Sequence, residues 1–183
     1  TKEQYPYDFE LQMTYELTEH GVKVSHTVIN HDSVVMPYCV GGHPAFNCPV
    51  FENESFEDYI VEFEQPENAA CAQLTEDGLI NNADRVSVLE NEAFIPVRHS
   101  LFYKDALVFD ALKSRKVALK HKKTGHGILV SFPDFDYNIS IEKLKVSDSP
   151  DCKNRTPRLC SNTSSSSLHV EVPLQGSNSF AAI

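Results

Sequence analysis

Gly41-Gly42-His43-Pro44-Ala45-Phe46-Asn47-Cys48-Pro49 brings together residue types that proton-transfer chemistry uses. Two glycines after an apolar stretch let the backbone take positive φ or approach a ligand closely. Pro44 fixes its own φ and holds the residue before it, His43, to extended conformations. A histidine so restricted projects in one direction, which suits a proton donor that must reach within hydrogen-bonding distance of its substrate. The same residues also fit a loop histidine that only ties down a turn, and composition alone does not separate the two. Cys48, five residues on, raises a Cys–His nucleophile pair, but no third group orients it. His20, His26 and His31 fall close together in sequence. Zinc needs three or four converging ligands with a supporting shell. His26 shares a strand face with valines while the other two fall in turns, so no metal site is expected. The basic run Lys120-His121-Lys122-Lys123 fits either a phosphate contact or a solvated hairpin tip.

The elements that would position these groups are strands. Phe9, Leu11, Met13 and Tyr15 alternate with polar residues, and so do Val22, Val24, His26 and Val28, the period of a half-buried strand. Thr18-Glu19-His20-Gly21 between them predicts a hairpin loop. Further strands are predicted at 34–41, 58–65, 86–94, 101–109, 115–121, 127–132 and 135–141. Asn81-Asn82-Ala83-Asp84 and Lys122-Lys123-Thr124-Gly125 read as turns between them. No segment carries a long apolar period of 3.6 residues, so the expected fold is an all-β antiparallel sandwich. At 183 residues and 41% hydrophobic content the chain can form one cored domain. A net charge of -10 disfavours nucleic acid, whose phosphates require Lys and Arg, and leaves a neutral polar ligand unpenalised. No apolar run approaches the roughly 20 residues that span a bilayer, so no membrane partner is expected. Five cysteines without CxxC spacing predict reduced thiols and a cytoplasmic location.

The segment 41–49 resembles the signature of the LacX-like branch of the aldose 1-epimerase (galactose mutarotase-like) superfamily. Val28-Ile29-Asn30 and Met36-Pro37-Tyr38 ahead of it are similar to that branch. So are Leu101-Phe102-Tyr103-Lys104-Asp105-Ala106-Leu107-Val108-Phe109 and Phe132-Pro133-Asp134-Phe135-Asp136-Tyr137, in the same order. The resemblance covers roughly residues 5–137. It implies a large twisted antiparallel β-sandwich of the supersandwich type, with a sugar cleft on its concave face. It also implies interconversion of α and β anomers of a free or phosphorylated aldose, without a cofactor. A base takes the proton of the anomeric hydroxyl, an acid protonates the ring oxygen, and reclosure gives the other anomer. By match, His43 takes the acid position, and Asp105 and Asn47 are substrate-binding. An imidazole with an unperturbed pKa near 6.5 can serve as that acid at neutral pH.

The family's base is a glutamate in a Glu-Pro-Trp-like strand after the third block, and the sequence has no Trp. Glu142 and Glu171 are the later glutamates and carry no such motif. The resemblance also lacks the family's N-terminal region, which bears an arginine and a second histidine. Residues 1–146 are therefore expected to form a partial sandwich. Residues 147–183, where nine of 37 positions are Ser, are expected to be a flexible tail. Leu168, Val170 and Val172 alternate within that tail and could pair as one edge strand. Two functions follow as expectations: an epimerase with weak turnover, and a carbohydrate-binding protein that retains the cleft without the base.

Overall fold

The computed structural model describes residues 2–42, 44–75, 79–103, 106–134, 139–141, 158–160 and 163–171. Their regular structure is antiparallel strand with two short 3-10 turns, Phe56–Asp58 and His99–Phe102. The strands are β1 (Phe9–Leu17), β2 (Gly21–Asn30), β3 (Met36–Tyr38), β4 (Tyr59–Leu74), β5 (Ile80–Pro96) and β6 (Leu107–Phe109). They continue as β7 (Lys116–His121), β8 (Gly127–Ser131), β9 (Ile139–Ile141), β10 (Arg158–Cys160) and β11 (Thr163–Glu171). Nine strands form one sheet in the order β1-β2-β11-β8-β7-β4-β6-β9, with β5 also on β4, and β3 pairs with β10. The all-β antiparallel expectation holds.

The two hairpins with the clearest alternation form where it places them. Thr18 N donates to Gly21 O at 2.8 Å and closes the β1–β2 loop. Strict alternation then aligns Phe9 with Asn30 and Leu17 with Val22. In the β7–β8 hairpin, Gly125 N donates to His121 O at 3.0 Å, and Gly125 has φ of 77°, the left-handed region that favours glycine. At Gly127 an added Cβ would lie 1.9 Å from Leu119 O, so two backbones meet where no side chain fits.

The long β4–β5 hairpin departs from expectation. Asn81–Asp84 is strand, not turn: Leu74 pairs with Ile80, and Thr75 N donates to Leu79 O at 2.8 Å. β4 continues past residue 65 through Pro66, and the pairing slips between Glu62 and Glu67. Proline cannot donate to a ladder, so a break is forced there. A second slip follows at Glu67/Asn68, and Asn91 opposite it has φ of 60°. Such bulges bend a strand. The first part of β4 pairs β7 and its later part pairs β6. Both parts feed one core containing Tyr59, Val61, Phe63, Cys71, Leu89, Ile95 and Phe109. Phe63 and Phe109 meet edge to face at 5.7 Å.

Glu67 is buried at the bend and accepts hydrogen bonds from Ser114 N and Ser114 Oγ, both at 2.6 Å, and from Lys113 N at 3.1 Å. It thereby holds the loop between β6 and β7. Of the two stretches expected as single strands at 34–41 and 101–109, only Met36–Tyr38 and Leu107–Phe109 are strand among the described residues.

Within the Ser-rich stretch, β11 pairs β2 on one side and β8 on the other, so it is an interior strand where an edge strand was the most expected. Residues 147–157, 161–162 and 172–183, the rest of that stretch, lie outside the described residues.

Candidate functional site

The segment 41–50 leaves the small β3 unit and is fastened to the β7–β8 side of the core. Phe46 packs against Ile128 and Phe132. Cys48 and Val50 pack against the main core. Val50 N donates to the Tyr59 hydroxyl at 3.0 Å. Gly41, Gly42 and Asn47 are exposed. His43 and Asp105 lie outside the described residues, so of the three matched positions the structure places Asn47 alone, on the exposed side of this segment. Burial, with the Glu54 carboxylate adding to it, pushes the Cys48 thiol up to about 11. That is the opposite of an activated nucleophile, which needs a lowered thiol pKa.

The weaker candidates do not converge. His20 and His31 are exposed and lie 4.0 Å from Glu19 and 3.6 Å from Glu10. His26 is buried on β2, and its Nδ1 has no hydrogen-bond partner among the described residues. Burial lowers its pKa. In the basic run, Lys120 pairs with Glu62 at 2.9 Å and Lys122 Nζ donates to Glu57 O. Those cations serve the hairpin. Glu142 lies outside the described residues.

A polar cluster that sequence reading missed sits directly behind the segment. Glu54 stands just before the Phe56–Asp58 turn, which is fixed by Ser55 N donating to the Asp58 carboxylate at 2.9 Å. Tyr59 opens β4, and His121 and His126 flank the β7–β8 turn. Tyr59 is fully buried, and its hydroxyl donates to Glu54. His126 Nε2 lies 3.1 Å from Glu54 Oε1 and 3.2 Å from Oε2. His121 Nε2 is 4.0 Å from Oε1. The two imidazoles stack at 5.0 Å, and Phe51 closes against His126 at 4.9 Å.

Glu54, His121 and His126 bring ligand atoms within 4.8 Å of one another, a spacing at which a divalent cation comes into question. The hydrogen bonds favour a different use. Lys123 N and Thr124 N both donate to His121 Nδ1, at 3.3 and 3.2 Å. That nitrogen is therefore an acceptor, and the proton of neutral His121 sits on Nε2, where a metal would need a lone pair. Thr124 Oγ1 lies 2.8 Å from His121 Nδ1 and 2.6 Å from His126 Nδ1. The Thr124 hydroxyl therefore bridges the two imidazoles. On the other side of its ring, His126 Nε2 faces both carboxylate oxygens of Glu54. Burial would raise the Glu54 carboxyl, but Tyr59 and His126 together outweigh that and hold it below its ordinary value. The Tyr59 phenol is pushed up by burial and then by its bond to Glu54. The cluster is a hydrogen-bonded network centred on Glu54. The one signal for it in the sequence was two histidines bracketing a Thr-Gly turn.

Residues 1–175 match the aldose 1-epimerase family, a range that runs well past Tyr137, where the motif blocks end. The chain is 41% identical over 133 residues to protein LacX of Lactococcus lactis subsp. lactis, in both its plasmid and its chromosomal form. That alignment takes in 72% of this chain and 44% of the relative. The chain therefore spans less than half the length of the curated relatives it matches. Its fold is similar to a galactose mutarotase-like protein from Lactobacillus casei, with a TM-score of 0.76 and 22% identity over 94% of this chain and 66% of that one. A galactose mutarotase related enzyme from Lactobacillus acidophilus gives a TM-score of 0.72 and 19% identity over 94% of this chain and 64% of that one. Together, the match over residues 1–175, the LacX relatives and the shared all-β architecture mean that this chain belongs to the aldose 1-epimerase family, in its LacX-like branch.

Proposed function

We propose that the chain binds an aldose, free or phosphorylated, and interconverts its α and β anomers by acid–base ring opening. The observation that carries this reading is the family match over residues 1–175, within which the Gly-Gly-His-Pro-Ala-Phe-Asn segment stands. His43 protonates the ring oxygen as the bond to the anomeric carbon opens, and takes the proton back on closure. Asp105 accepts hydrogen bonds from sugar hydroxyls, and Asn47, exposed on the same segment, can donate or accept at the sugar edge. Galactose enters as a candidate aldose through the names of the structural relatives. Cys39, Cys48 and Cys71 are free, which supports a reducing, cytoplasmic setting. No helix among the described residues is long and apolar enough to cross a membrane.

A second reading, sugar binding without turnover, is favoured by the missing Glu-Pro-Trp-like motif. A positioned acid–base group contributes about 10²–10⁴-fold, so turnover depends on a base as well as on His43. Both readings are tested by following fresh α-D-glucose or α-D-galactose by polarimetry, with binding measured in parallel by calorimetry. The expected result is sugar binding with a small acceleration that His43→Ala removes. Binding without acceleration would favour the second reading, and absence of binding would overturn both.

A further inference from the structure

The Tyr59 hydroxyl is used more fully than packing requires. A buried tyrosine needs one hydrogen-bond partner. Here the hydroxyl accepts from Val50 N at 3.0 Å, donates to Glu54 and lies 3.1 Å from His126 Nε2. Among the described residues, the Val50 bond is the one hydrogen bond that ties residues 44–50 to another element. The apolar contacts of Phe46, Cys48 and Val50 dock this segment but are not directional. The direction comes from Tyr59, whose ring is fixed by the core and whose hydroxyl is aimed by Glu54. Glu54 is held in turn by His126, and His126 by Thr124.

We propose that Tyr59 is the positioning residue for the segment that carries His43, acting through Val50 and kept in register by the Glu54–His126–Thr124 chain. The proposal rests on the reading of His43 as the acid of an epimerase. A proton donor works only within hydrogen-bonding reach of its substrate, so a segment free to shift by an ångström loses much of its effect. The network supplies that restraint through the Val50–Tyr59 bond. Every polar atom in it has a partner, which is the condition under which a buried network rigidifies its surroundings.

The test is NMR on the chain and two variants. Tyr59→Phe keeps the ring in the core and removes the acceptor for Val50 N–H and the donor to Glu54. Thr124→Val changes an exposed residue and removes only the bridge between the imidazoles, so it stays informative if Tyr59→Phe folds poorly. Amide exchange at Val50 should quicken about tenfold in Tyr59→Phe and about two- to threefold in Thr124→Val, with the amides of β7 and β8 unchanged. The ring resonances of His43 should shift or broaden in the same order, a change that lost core stability alone would not confine to this segment. Unchanged Val50 exchange in both variants would overturn the proposal. Faster Val50 exchange with unmoved His43 resonances would also overturn it, because the tether would then not reach the histidine. Failure of the underlying reading shows separately: His43 resonances in the unmodified chain would not respond to added aldose, whatever Val50 does.

Discussion

The two ends of the large sheet are packed very differently. Around β4, β5, β7 and β8, the two parts of a bent hairpin enclose a core with Tyr59 at 0% and Phe109 at 1% exposure. At the β1 edge the alternation is just as regular, yet every residue of β1 is exposed, from Phe9 at 41% to Leu17 at 85%. Tyr5 and Tyr7 cover only the Val28, Met36 and Tyr38 end of that face. Alternation therefore fixes which side chains share a face, but not whether anything lies against it. Residues 44–50, which follow the signature histidine, are anchored to the enclosed region.

The largest effect expected from this contrast is at Glu67, where three donors converge on one buried carboxylate. Glu67→Ala leaves Ser114 N, Ser114 Oγ and Lys113 N without their acceptor and should cost about 3 kcal/mol in denaturant unfolding. A loss under about 1 kcal/mol would mean that the bend is not held by this group. Next comes Gly127→Ala, which drives a methyl into the Leu119 carbonyl and should cost about 1–3 kcal/mol. An unchanged melting temperature would contradict the close approach of β7 and β8.

Acid should distinguish the regions by direction. Burial lowers the pKa of His26, so its protonation opposes folding, and the stability it contributes falls as pH drops below its ordinary 6.5. Glu54 is held below its ordinary 4.5, so its contribution persists at higher pH and is lost only at lower pH, as the carboxylate is protonated. Unfolding followed from pH 7 downward should therefore weaken first through β2, and His26→Leu should remove that first loss. A first loss that persists in His26→Leu would place it elsewhere. The smallest effect belongs to Leu17→Ser on β1, within about 0.5 kcal/mol of the parent, because nothing covers that side chain. A cost above 1 kcal/mol would show that the β1 face is covered in solution.

The same contrast explains what could be read from the sequence. The β1–β2 and β7–β8 hairpins were legible because period-2 alternation and turn residues are local signals. The length of β4 and β5 was not. The strand expected at 58–65 runs on past a bulge at Pro66, and the Asn81–Asp84 run, which reads as a turn, is strand, because long-range pairing decides both. β11 was taken for tail because Ser164–Ser167 offers no apolar pattern, yet its backbone finds partners in β2 and β8, both remote in sequence. At the candidate site, the motif around His43 was visible because its residues are contiguous. The Glu54–Tyr59–His121–His126 network was not, because two segments remote in sequence, 54–59 and 121–126, meet there only after β4 pairs with β7.

The most direct test of the account is a sugar titration of the isotopically labelled chain, followed residue by residue by NMR. Glucose or galactose should perturb residues 41–50 and 103–107 and leave the exposed face of β1 unmoved. Perturbations confined to β1 and β2, with residues 41–50 silent at saturating sugar, would contradict it.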